Sequence, residues 1–342
     1  MSKEFKDDDI NASNRKSDHI QLAFQSKVMN KNIDNRFSYE PIMAGHPIND
    51  SILKSIFLDK EFNLPIWVSS MTGGTAHANI INKNLARACG EYKMGMGLGS
   101  CRSLLTGDEN LPDFNVRSMM GDQPLYANLG VAQIEQLINE EKLNLITNLV
   151  EKLEADGLII HVNPLQEWMQ PEGDRYHMSP LDIITTVLDR LKVKLIVKEV
   201  GQGMGLKSLT ALFKLPLEAI DFAASGGTNF ALLELLRQDK AKSEGFMPLV
   251  YVGHSAEEMV DMTNDLKVTL GDEMLCKQVI ISGGVENFLD GYYLTQKCKL
   301  PAVYGKASAF LKYAMGDYEE LQAYIETQKS GLLMAYSYLN IR

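Results

Sequence analysis

From about Pro65 onward, short apolar runs alternate with longer stretches in which apolar residues return every three or four positions. The short runs fall at residues 66–70, 94–98, 125–128, 158–162, 195–199, 219–222, 278–282 and 302–304. Their length suits strands buried on both faces. Between them lie amphipathic helical segments such as 132–155, 180–192 and 286–297. Eight strands in strict alternation with helices predict an α/β protein, a single closed (β/α)8 TIM barrel of parallel strands. A doubly wound open sheet has the same local pattern and is the alternative on periodicity alone. A further run at 249–252 also reads as a strand. It is assigned to an elaborated sixth crossover, because counting it in the barrel would shift every later motif.

Residues 1–60 lack this alternation, and Pro41, Gly45 and Pro47 interrupt them. They predict an irregular N-terminal arm or lid contributing to the substrate site, with the barrel over 61–342. No internal repeat or low-complexity segment is evident. The 342 residues are 45% hydrophobic and 23% charged, an ordinary globular composition with enough apolar material for a large core. The formal net charge of −10 argues against nucleic acid or an acidic membrane as partner, so an anionic ligand would need a local basic site. Four cysteines, Cys89, Cys101, Cys276 and Cys298, stand far apart with no C-x-x-C pair, which favours a reducing compartment over a disulfide framework or zinc site. The polar start and the lack of a spanning apolar run make the expectation a cytoplasmic protein.

Function in such a barrel collects where strands end on the carboxyl face. Seven consecutive strand ends here carry glycines or polar groups: Ser70-Met71-Thr72-Gly73-Gly74, Gly99-Ser100-Cys101-Arg102, Asn128-Leu129-Gly130, then His161 to Glu167. Lys198-Glu199-Val200-Gly201, Ser225-Gly226-Gly227-Thr228 and Ser282-Gly283-Gly284 follow. A lone Gly-Gly is usually a tight turn, but two such turns after the last strands suit a phosphate cradle of bare backbone N–H groups. Lys198 follows the apolar Leu195-Ile196-Val197, which would hold its ammonium at the barrel mouth; a salt bridge with Glu199 is the plainer reading, although successive strand residues face opposite sides. His161 and Asn163, two apart, point the same way. Gln166 and Glu167 offer hard oxygen donors suited to Mg²⁺, against the plainer reading of a helix-start charge. If the segment from Asp18 is helical, Arg15 and His19 stand a turn apart and with Lys16 can clamp an anion, although a solvated helix start explains the triplet alone.

Taken together, Arg15-Lys16-x-x-His19, Met71-Thr72-Gly73-Gly74, Gly99-Ser100-Cys101-Arg102, His161-x-Asn163-x-x-Gln166-Glu167, Lys198-Glu199-Val200-Gly201 and Gly226-Gly227-Thr228 resemble type 2 isopentenyl-diphosphate isomerases, the flavin-dependent class. The resemblance runs from Arg15 to about Leu311. It implies that Ser70, Met71, Thr72, Ser100, Asn128, Lys198, Thr228, Gly283, Gly284, Ala307 and Ser308 surround FMN. It gives the isoprenoid diphosphate to Arg15, Lys16, His19, Ser100, Arg102, Asn163 and Gln166, with Cys101 and His161 beside them in the same motifs and Glu167 on Mg²⁺. It further implies reduction of the flavin by NADPH, an acid–base role for the reduced ring without net redox change, and a homo-oligomer. Such chemistry fits, because moving a double bond adds one proton and removes another, and a pinned diphosphate needs orientation more than bond breaking.

The chain also departs from the family pattern. Ala223 and Ala224 stand where the family has serine and glycine, Glu286 where it usually has arginine, Phe230 where tryptophan is common, and Gly253-His254-Ser255 replaces Gly-x-Pro. A carboxylate at position 286 would repel an FMN phosphate unless it turned to solvent. Two other functions compete. An FMN barrel oxidoreductase would need a catalytic histidine after the seventh strand or a nucleophilic cysteine after the sixth, and neither stands there. A flavin- or phosphate-binding relative without turnover has only Ala223 and Glu286 in its favour.

Overall fold

The structure is a computed structural model that describes residues 12–69 and 76–342. Its core is a closed barrel of eight parallel strands. Preceding it in the chain are β1 (Phe37–Tyr39) and the hairpin of β2 (Ser55–Phe57) and β3 (Lys60–Phe62). The barrel runs through β4 (Ile66–Val68), β5 (Gly95–Gly97), β6 (Leu125–Gly130), β7 (Gly157–His161), β8 (Leu195–Lys198), β9 (Ala219–Asp221), β10 (Val279–Ser282) and β11 (Ala302–Lys306). Closure is made by β11 on β4, with Tyr304, Gly305 and Lys306 opposite Ile66, Trp67 and Val68. All eight predicted strands are therefore present, and the open-sheet alternative is excluded by the β11–β4 pairing.

Alternation along each strand sorts side chains between two cores. Leu158, Ile160 and Val197 pack outward against the helices. Trp67, Tyr126, Ile159, Ile196, Ala219, Ile280 and Val303 fill the barrel interior. The β2–β3 hairpin closes the amino end of that interior. Its turn residues Leu58 and Asp59 have φ of 52° and 60°, the left-handed geometry that a tight hairpin demands. Phe57, Leu58 and Phe62 then enter the interior cluster, and the Leu58 N–H donates to Gln278 Oε1 at 2.8 Å. A plugged floor leaves the carboxyl end as the open mouth.

Three local expectations change. The amphipathic segment 132–155 is two helices, Val131–Asn139 and Asn144–Lys152, separated where Glu141 takes φ 57°. Its apolar period survives the break because both helices lie on β6. The run at 249–252 is not a strand: Val250 ends the helix Lys240–Val250 and packs on Met169, Ala231 and Leu235. With β9 bonded to β8 on one side and β10 on the other, no edge remains for it to join. It does lie in the sixth crossover, as its assignment required. The segment 1–60 contains, in its described part, a helix Ala12–Leu22 and β1, which pairs with the terminal strand β12 (Leu339–Ile341). Among the described residues no helix is long and apolar enough to cross a membrane.

Candidate active site

On β6 to β10 the residue two positions beyond the apolar interior layer joins a polar ring at the mouth. Strand register sets Gly130 beside His161, His161 beside Lys198, and Lys198 beside Asp221. Each of these three side chains lies two residues after an interior apolar residue, Ile159, Ile196 or Ala219, so all face inward. Asn128 and Ser282 continue the ring on β6 and β10.

Neighbouring bonds fix the ring's protonation. Asn128 Nδ2 donates to the Leu98 carbonyl at 3.0 Å, which turns its Oδ1 to His161 Nδ1 at 2.8 Å. His161 therefore carries its proton on Nδ1. Burial, and secondly the Lys198 charge, push its pKa down to about 3, so the ring is neutral at physiological pH. Lys198 Nζ donates to the Glu199 carbonyl at 2.7 Å and not to the Glu199 carboxylate. That carboxylate faces away and accepts the N–H groups of Gly201, Gln202 and Gly203 at 2.7, 2.6 and 3.0 Å. The salt-bridge reading of Lys198 is thus replaced by a buried ammonium at the mouth. Asp221 is fully buried; its Oδ1 accepts from Ser282 Oγ, while Oδ2 has no partner among the described residues. Burial raises its pKa and the Lys198 charge opposes that rise.

A cavity of ≈ 330 Å³ opens above β8 to β11. Lys198, Thr228, Gly283, Gly284, Ala307 and Ser308, all expected around the flavin, line it. Its walls are backbone because bulk is excluded: a Cβ on Gly283 would meet the Ala224 carbonyl oxygen at 2.0 Å, and one on Gly226 would meet Gly284 Cα at 3.0 Å. Gly226, Gly283 and Gly284 also have φ of 105°, 88° and 69°. Ala223 holds φ 42° without being glycine, braced by its N–H on Ser282 Oγ at 2.8 Å. Glu286 sits on the rim with its side chain exposed. Ser100 and Asn128, at the ends of β5 and β6, are not lining residues of this cavity. Ser70, Met71 and Thr72 lie outside the described residues.

Across the mouth a second network joins the expected diphosphate and metal residues. Asn163 Nδ2 donates to Gln166 Oε1 at 3.1 Å and Glu167 Oε1 at 3.0 Å. Glu167 Oε2 accepts the Asp174 N–H at 2.7 Å, and Asp174 Oδ2 accepts from Arg102 at 2.7 Å and Gln133 at 3.1 Å. Asn163 is 2% exposed, and its Oδ1 has no partner among the described residues. Arg102 keeps 58% of its side chain exposed, and Ser100 is exposed. Cys101 does not join them: it is fully buried, its thiol rests on the Gly99 carbonyl, and burial pushes its pKa up to about 12. The first turn after β5 sends its side chain into the core while its neighbours face the mouth, so its place in the motif is structural. Arg15, Lys16 and His19 lie on the helix Ala12–Leu22 and are exposed.

Sequence reasoning passed over Asp174, Gln133, Asp221 and Lys306, and it named Ser282 only as part of the seventh strand end, without its bond to Asp221. Lys306 lies two residues beyond the predicted end of the last strand at Tyr304, and by alternation it shares the face of Tyr304 rather than that of Val303, so the rule that places Lys198 does not find it. Asp174 sits in a loop that carries no periodic signal.

No family model matches the chain. Among solved structures, a flavocytochrome b2 variant with sulfite bound superposes with TM-score 0.60 at 15% identity, covering 88% of this chain and 71% of that one. A mandelate oxidase variant with (S)-mandelic acid superposes with TM-score 0.54 at 12% identity, over 90% and 86%. These share the fold. Closer in sequence are proteins named isopentenyl-diphosphate delta-isomerase. One from Rickettsia felis is 34% identical over 328 residues, 93% of this chain and 91% of its own. One from a Nostoc species is 36% identical over 239 residues, 68% and 67%. Identity of that degree along nearly the full length, on an eight-stranded barrel with its polar groups gathered at the carboxyl mouth, shows that the chain belongs to the type 2 isopentenyl-diphosphate delta-isomerase family.

Proposed function

We propose that this protein interconverts isopentenyl diphosphate and dimethylallyl diphosphate, with FMN, reduced by NADPH, in the glycine-walled cavity and Mg²⁺ on the Glu167 side of the mouth. The observation that carries the reading is the pairing of two complementary features at the mouth: an anion-ready, backbone-lined cavity with buried lysines, and the cation-ready Asn163–Gln166–Glu167 oxygen cluster, which is joined through Asp174 to Arg102. The cavity fits a flavin phosphate because its glycines leave N–H groups bare and Lys198 and Lys306 have no carboxylate partner among the described residues. The oxygen cluster fits Mg²⁺ because Gln166 Oε1, the Glu167 carboxylate and the unpartnered Asn163 Oδ1 are hard donors.

Reduced FMN, when bound, supplies an electron-rich ring able to hand a proton to one alkene carbon and take one from another. The chain's own residues bind and orient. Lys198, held at its strand end by the Glu199 carbonyl, would offer its positive charge to the bound flavin. Neutral His161 presents Nε2 as an acceptor and adds no charge beside a carbocation-like state. Arg102 has one strong partner, Asp174, and enough exposure to take a diphosphate oxygen as well. The arm carrying Arg15, Lys16 and His19 would close over the diphosphate and exclude water.

The test is an anaerobic assay of the purified protein with FMN, NADPH, Mg²⁺ and isopentenyl diphosphate, following dimethylallyl diphosphate. Product that disappears on omission of either FMN or reductant supports the reading. Bound FMN without product would move the protein to another flavin-barrel reaction.

A further inference from the structure

The position that follows the seventh-strand Gly283-Gly284-Val285 is Glu286, so this part of the cavity rim brings a carboxylate and no cation. The structure supplies another. Lys306, at the end of β11, lines the same cavity and is 5% exposed. Its Nζ donates to the Glu286 carbonyl at 2.9 Å and lies 5.9 Å from the centre of the Tyr324 ring. An ammonium has three N–H donors, and only this carbonyl takes one of them among the described residues. The nearby carboxylates are committed elsewhere. Asp290 pairs with Arg36 at 2.9 Å and accepts the N–H groups of Glu286 and Asn287 at 2.9 and 3.1 Å. Glu286 turns its side chain to solvent.

A buried ammonium without a counter-ion is unfavourable unless an anion completes it. Burial indeed pulls the pKa of Lys306 below the ordinary lysine value, against the opposing pull of Asp290 and Glu286. The anion must be one that the cavity admits, beside Gly283, Gly284 and Ser308. We infer that Lys306 holds the phosphate of the flavin nucleotide, supplying the cation that the rim at Glu286 does not. The inference rests on the proposed flavin site and adds to it a cation at the end of β11. It also explains how a glutamate is tolerated on the rim: the main chain of Glu286 orients the lysine, while its carboxylate stays in water.

Flavin binding without turnover tests this. Apoprotein is titrated with FMN and with riboflavin, which has the ring but no phosphate, following flavin fluorescence, for the wild type, Lys306→Met and Lys306→Arg. The expected result is that Lys306→Met weakens FMN by about ten- to a hundredfold, the worth of one charge-assisted hydrogen bond, and leaves riboflavin unchanged. Lys306→Arg should retain most of the FMN affinity. Methionine keeps the stem's length and removes a buried charge, so the fold should survive; circular dichroism and the thermal midpoint of the apoprotein check that. Equal FMN affinity in wild type and Lys306→Met overturns the inference and leaves the flavin site standing. Parallel loss of FMN and riboflavin makes Lys306 a packing residue and also overturns it. A wild type that binds neither flavin removes the proposed site itself, and the inference with it.

Discussion

Gly283→Ala isolates the geometry on which the cavity depends. Two penalties follow from the structure. At φ 88° an L-residue is strained, costing about 1–3 kcal/mol. The new methyl would meet Ala224 O, N and C at 2.0, 2.4 and 2.6 Å, all backbone atoms that no rotamer change can move. Relief needs a shift of roughly an ångström between the two loops, an overpacking cost of about 1–3 kcal/mol. The lost flexibility of the unfolded chain returns about 0.4–1 kcal/mol. A net destabilisation of about 1–6 kcal/mol follows, concentrated where Gly283 and Ala224 line the cavity. The assay is a pair of readings, the thermal midpoint of the apoprotein and the FMN dissociation constant. Gly107→Ala is the control, since a Cβ there meets nothing within 4 Å. Gly283→Ala should lower the midpoint and weaken FMN at least about tenfold, while the control leaves both alone. A Gly283→Ala protein with control-like midpoint and affinity would refute the claim that this close approach shapes the site.

Glu167→Gln should abolish Mg²⁺-dependent turnover while FMN still binds; because one of its two acceptor oxygens is replaced by an NH2 donor facing the Asn163 amide or the Asp174 N–H, a stability loss of about 1–3 kcal/mol should accompany it, and unchanged turnover would remove Glu167 from the mechanism. His161 has a folded pKa of about 3, below its unfolded value, so the unfolded state binds the extra proton between them. Stability from this group is therefore intact above pH ~6.5 and falls as pH drops toward 3; urea midpoints at pH 7 and pH 5 should differ more in the wild type than in His161→Gln, and equal differences would sink the assignment. Arg15→Ala with Lys16→Ala should raise KM for isopentenyl diphosphate without changing the bound-flavin spectrum, whereas loss of the spectrum would make the arm structural.

Particular residues show what was legible in the sequence. His161 and Asn163 could be placed at the mouth from their spacing, and Lys198 from the apolar run before it, because strand alternation is a local rule. Lys198's partner could not: a salt bridge to Glu199 was the plain reading, and only the turn at Gly201 to Gly203 shows that carboxylate occupied by three N–H groups. Cys101 looked like part of a mouth motif between Ser100 and Arg102, yet the helical turn after β5 directs it into the core. The run at 249–252 carried strand composition but found no strand edge to join.

The sequence by itself determined the eight strands, their parallel order and the face on which the chemistry gathers, since hydrophobic period and strand ends are properties of neighbouring residues. Only the tertiary structure decided that the barrel closes through β11 and β4, that Asp174 ties Arg102 to Glu167, and that Lys306 meets the Glu286 carbonyl. Those contacts join residues far apart in the chain. Their existence depends on closure and on which polar groups burial leaves without partners, and no local pattern records either.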